Sequence, residues 1–155
     1  MVENQIVLPR LKDRHYIDVT TNLINTTTGV SGTNNSFSVQ IEPLLLDPQR
    51  QYSVQVLNFY YQNSNIGAGI YPIITSDIGY NIRVVNTNSS IIFKSNVDAS
   101  NTNFVSRDVT NNANFVLPVS SQKISQIFFQ IVRSDTGALF PMTSPVQLTL
   151  YIESE

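Results

Sequence analysis

The chain has no cysteine, a single histidine, four alanines and three lysines among 155 residues, and 13% of it is charged where about 25% is usual. Each shortage removes a class of function. Without cysteine there is no disulfide framework, thiolate metal site or cysteine nucleophile, and the redox state of the compartment is unconstrained. The lone imidazole, His15, excludes a His-rich metal site and leaves a Ser-His-acid triad dependent on one residue beside a basic stretch. A formal net charge of -2 supplies no cationic field to collect nucleic acid or anionic lipid. No apolar run approaches the roughly 20 residues that cross a bilayer, and Met1 to Gln5 lacks the cationic start of a signal peptide. The six glycines form no phosphate loop, and no calcium-loop pattern occurs. The expectation is a protein that is not an enzyme and uses no cofactor or metal.

What the chain does have is β-branched side chains. Sixteen Ile, sixteen Val and thirteen Thr stand against four Ala and eleven Leu, which excludes a helical bundle. A hydrophobic content of 41% is too high for disorder, and the length suits one core that buries roughly two thirds of the unfolded surface. Met1 to Arg14 shows no sustained period and reads as an N-terminal arm; residues 15–155 read as one domain. Period-two alternation is nearly perfect in Ser36 to Glu42, where Phe37, Val39 and Ile41 share a face, and in Val146 to Glu153, where Val146, Leu148, Leu150 and Ile152 do. Further strands are expected at 16–21, 52–60, 80–85, 91–97, 115–119 and 127–133, making eight. Residues 86–90 and Asp135-Thr136-Gly137 read as hairpin turns, and 29–35 and 98–114 as long polar loops. Eight strands with some connections too long for hairpins predict an all-β, single jelly-roll sandwich.

Two strands depart from simple alternation. Ile127, Phe129 and Ile131 fill one face of theirs, but Phe128 and Val132 make the other face apolar too, so a covering loop or a subunit contact is expected there. In 52–60 the apolar phase shifts from Tyr52, Val54 and Val56 to Leu57 and Phe59, so either a bulge with a covering loop or a subunit contact is expected there too. Arg10, Lys12 and Arg14, with His15, are either a solvated arm or a grip on a neighbouring subunit or nucleic acid. Phe59, Tyr60 and Tyr61 with Tyr71 and Tyr80 offer an aromatic platform for sugars, though alternation sends some of these rings inward. Asp135-Thr136-Gly137-Ala138 matches the tetrapeptide around the catalytic aspartate of pepsin-like and retroviral proteases, but only eighteen residues follow Gly137, too few for most of a protease lobe. Three glycosylation sequons are about the number that chance yields with seventeen Asn.

Phe37-Ser-Val39-Gln-Ile41-Glu-Pro43-Leu-Leu-Leu46, followed by Tyr52-Ser-Val54-Gln-Val56-Leu-Asn-Phe-Tyr60, resembles a pattern in the single jelly-roll penton, or minor capsid, proteins of virophages, polinton-like viruses and related large DNA viruses. There an alternating strand runs into a proline-containing link, and a second strand opens with an aromatic, often Trp; here it is Tyr52. Ile131-Val-Arg-Ser-Asp135-Thr-Gly137-Ala-Leu139 and Val146-Gln-Leu148-Thr-Leu150 are similar to the closing hairpin and last strand of that family. The resemblance implies a structural virion protein assembled in the host cell, a homopentamer at an icosahedral vertex. Its partners would be further copies of itself, the major capsid protein and other minor capsid or fibre proteins. Arg10, Lys12, Arg14, Phe128 and Val132 are the candidate subunit contacts. The alternative is a carbohydrate- or receptor-binding sandwich, lectin-like or a trimer of the tumour-necrosis-factor or C1q type, since fold alone does not decide function.

Overall fold

The computed structural model describes residues 11–24, 29–79, 90–108, 117–119 and 122–155. Among them the chain forms ten strands and one helical piece, a single 3-10 turn at Thr21–Leu23. In one sheet β1 (Arg14–Thr20), β10 (Gln147–Ser154), β4 (Tyr52–Gln62) and β7 (Phe104–Asp108) lie side by side, with the two-residue β8 (Leu117–Pro118) also on β4. The other runs β2 (Val30–Thr33), β3 (Ser36–Leu45), β9 (Lys123–Arg133), β5 (Pro72–Ser76), β6 (Ser90–Lys94). Every pairing between these strands is antiparallel. The first strand neighbours the last, and most neighbours are remote in sequence. That is the jelly-roll arrangement, two four-stranded layers to which β2 and β8 are added.

Three differences from the expected strands have physical causes. β7 lies inside the expected 98–114 loop: it turns one buried apolar residue, Val105, to the core, and Phe104 points outward, so alternation does not register. β5 is buried at all five positions, so Ile73-Ile74-Thr75 has no polar face to alternate with. Pro72 is tolerated as its first residue. β2, in the expected 29–35 loop, buries only Val30 and closes a hairpin with β3. Gly32 there adopts φ 120°, and a Cβ at that position would lie 2.2 Å from the Ser36 carbonyl oxygen, so only glycine fits. The strand expected at 80–85 and all of the turn expected at 86–90 except Ser90, which opens β6, fall outside the described residues.

The core lies between the sheets. Phe37 of β3 stacks on Phe129 of β9 at 5.2 Å, and Phe59 of β4 packs edge-on against Phe93 of β6 at 5.7 Å, joining the layers. The bulge expected in β4 is present. Thr149 pairs with Asn58 while the next residue, Leu150, pairs with Val56, so Leu57 has no opposite number. The extra residue lets Val56 and Phe59 both point inward and leaves Asn58 on the outer face.

Candidate functional site

The strand register brings several polar side chains to one end of the β1-β10-β4 sheet. Ser154 donates its backbone N–H to the Asp13 carbonyl at 2.9 Å, and Asp13 N–H donates back to Ser154 Oγ at 2.8 Å. Arg50 Nη1 donates to the Leu11 carbonyl and to Ser154 Oγ. Tyr52 donates its hydroxyl to Asp13 Oδ2 at 2.8 Å and accepts from the Asp47 N–H. Lys12 and Arg14 both reach Glu153 Oε1, at 3.2 and 3.4 Å, and His15 Nε2 lies 3.1 Å from Asp13 Oδ1. Residues 11–14, read as the end of the arm, are therefore bonded onto the sheet. Arg10 lies outside the described residues. The sequence offered no sign that Asp13, the Arg50–Tyr52 stretch and Ser154 would meet here, since they come from three separate segments.

These contacts set proton affinities. The Tyr52 hydroxyl, helped by His15 and Arg50 against the cost of burial, holds the Asp13 carboxyl below its ordinary value. Burial works against the charge on Glu153, but hydrogen bonds from Lys12 and Tyr151 outweigh it and lower its pKa as well. Burial raises the Tyr52 phenol, and Asp13 adds to the rise. Carboxyls depressed in the folded state stabilise it above their unfolded values, about 4, and that contribution is lost as pH falls through the folded values. The melting temperature should accordingly fall between about pH 5 and pH 2. Tyr52→Phe should cost about 1 kcal/mol at neutral pH, the low end for a charged hydrogen bond because Asp13 is 38% exposed. It should also flatten the acid slope; a variant melting with the wild-type slope would show that this bond does not govern Asp13.

The outer face of the same sheet carries a second cluster. Reading across the strands, Tyr16 stands opposite Tyr151, then Asp18 opposite Thr149 and Asn58, then Thr20 opposite Gln147 and Tyr60. The Tyr16 and Tyr151 rings pack 4.9 Å apart, and Tyr60 stacks on Phe104 of β7 at 5.5 Å. Between these pairs lies a depression of about 320 Å³ lined by Asp18, Val19, Thr20, Asn58, Gln147, Leu148 and Thr149. Thr149 Oγ1 donates to Asp18 Oδ1 at 2.7 Å and lies 3.4 Å from Asn58 Oδ1. Of the aromatic platform expected from sequence, Tyr60 is on this face, Phe59 and Tyr61 are buried, Tyr71 is half-buried beneath Lys94, and Tyr80 is outside the described residues.

On the other sheet Phe128 is half-buried, with its N–H donating to Asp77 Oδ1 at 3.0 Å. Val132 is 1% exposed: it faces Ile73 of β5 in register, and the chain returns beside it, with Phe140 N–H on the Ile131 carbonyl and Arg133 N–H on that of Ala138. Val132 is thus covered by its own chain and offers no surface to a neighbour, whereas Lys12, Arg14 and Phe128 keep some. Asp135-Thr136-Gly137 forms the expected turn. Gly137 sits at φ 71° with its N–H on the Arg133 carbonyl, and Arg133 grips the Asp135 carboxylate with two bonds of 2.9 and 2.7 Å. That grip holds the carboxyl below its ordinary value. Among the described residues no three or more His, Asp or Glu side chains converge to hold a metal. No helix there is long and apolar enough to cross a membrane.

No protein-family model matches the chain, and no curated protein does. Among solved structures it is similar to the crystal structure of the selenomethionine-labelled mavirus penton protein, with a TM-score of 0.60 at 10% sequence identity. The match covers 92% of this chain and 100% of that one.

Proposed function

We propose that this protein is a structural component of a virion, a penton whose five copies plug an icosahedral vertex and contact the surrounding major capsid capsomers. The observation that carries the reading is the likeness of fold over 92% of this chain and 100% of a penton protein's chain. The surface chemistry supports burial against other protein. Amides and hydroxyls are cheaper to desolvate than ammonium or carboxylate groups, and a net charge of -2 limits repulsion between copies.

The test is the native mass and symmetry of the purified protein, alone and with particles. A ring of about 86 kDa, five times the 17.3 kDa chain, is expected; a monomer or trimer that never joins particles would remove the reading. Residues 1–10 are proposed to tether each subunit to its neighbours. Deleting them while keeping Leu11 to Arg14 retains the bonds that join Asp13 to Ser154 and Leu11 to Arg50. Incorporation into particles should drop severalfold, and unchanged incorporation would dismiss the tether.

A further inference from the structure

We infer that the outer face of the β1-β10-β4-β7 sheet is a binding site for a neutral oligosaccharide of two or three rings. The inference stands on that face alone and does not need the penton reading.

The distribution of exposed rings is the first observation. Among the described residues the exposed aromatic side chains are Tyr16, Tyr60 and Phe104, at 62%, 37% and 58%, and all three lie on this one sheet face. They fall in two pairs at opposite corners: Tyr16 on the edge strand β1 with Tyr151, and Tyr60 with Phe104 on the edge strand β7. Tyr16 is four residues along β1 from the row that holds Tyr60, so the pairs are separated by about 13 Å along the strands. Exposed rings present apolar faces to the C–H faces of sugars, and two such platforms are one more than a single ring can use.

The second observation is what lies between them. The 320 Å³ depression is floored by a carboxylate, two amides and two hydroxyls on rigid strands, with no lysine or arginine among its lining residues. Thr149 spends its proton on Asp18 Oδ1, while Asp18 Oδ2 accepts no hydrogen bond among the described residues. The Asn58 amide nitrogen and the whole Gln147 amide make no hydrogen bond among the described residues. The row thus offers acceptors and donors side by side, the complement of vicinal hydroxyls, each of which both donates and accepts. The carboxylate disfavours an anionic sugar. Strand positions hold such groups more firmly than loops do, which limits the entropy lost on binding.

The experiment uses the full chain in its native oligomeric state, whatever that proves to be. Saturation-transfer NMR is run with lactose, maltotriose and chitotriose, and with sialyllactose as the anionic probe, and affinities are taken by calorimetry. At least one neutral sugar should receive saturation at its C–H protons, with a Kd on the order of 1 mM or tighter. Asp18→Asn and Tyr60→Ala should each weaken it at least fivefold while circular dichroism and oligomeric state stay unchanged. No transfer to any neutral sugar, equal binding by either variant, or preference for sialyllactose would each overturn the inference. So would finding Tyr16 and Tyr60 shielded from acetylation in the native oligomer, which would show a second copy seated on the face. A monomer that binds the sugar would fail the penton reading and leave this one standing.

Discussion

Phe59→Ala should destabilise the fold by about 4 kcal/mol and lower the melting temperature by roughly 8–16 °C. Phe59 is fully buried, stacks on Tyr61 at 4.5 Å and meets Phe93 of the opposite sheet edge-on at 5.7 Å. Its removal therefore opens a cavity at the junction of the two layers. The neighbours cannot close the gap cheaply, because Tyr61 is itself held by a 2.9 Å hydrogen bond to Ser95 Oγ. Phe104→Ala, the same truncation on an exposed ring of the adjacent strand β7, should cost less than about 1 kcal/mol. Thermal melts of the two variants side by side separate burial from residue type. Equal losses would show that Phe59 does not fill the core between the two sheets as described.

The same strand shows how far sequence reading reaches. The phase shift after Val56 left a bulge and a subunit contact both open, and the register shows the bulge, which brings both Val56 and Phe59 to the buried face. Long strands with a wet face, β3 and β10, were legible because burial alternates along them. β5 and β7 were not: one is buried on both faces and the other buries a single apolar residue, so neither has a period to read. The outer-face site was half legible. Tyr60 was named as part of an aromatic platform, but its partner is Phe104, forty-four residues away, and the polar row of Asp18, Thr149 and Asn58 is assembled by register from three strands. No spacing within any one segment encodes it. Val132 shows the converse: its apolar outward position was read correctly, and the covering comes from the chain's own return after the Asp135 turn.

Thr21→Val should be the most damaging of the near-isosteric polar substitutions, costing about 2–4 kcal/mol although it keeps size and shape. Thr21 is 3% exposed and sits where β1 ends, at the meeting of three segments. Its hydroxyl donates to Asn34 Oδ1 in the β2–β3 turn at 2.8 Å and accepts the Val146 N–H at 2.8 Å, while its own N–H donates to the Val146 carbonyl. One side chain thus ties the first strand to the entry of the last and to the hairpin of the other sheet. Valine removes both hydroxyl bonds and leaves a buried backbone N–H at Val146 without a partner, the costlier half of the loss. Thr21→Ser keeps the hydroxyl and should lose about 1 kcal/mol through the missing methyl. Denaturant unfolding of the pair, with amide exchange at Val146 as the local readout, tests the assignment. If serine is as damaging as valine, packing around the methyl rather than the shared hydroxyl holds the three segments together.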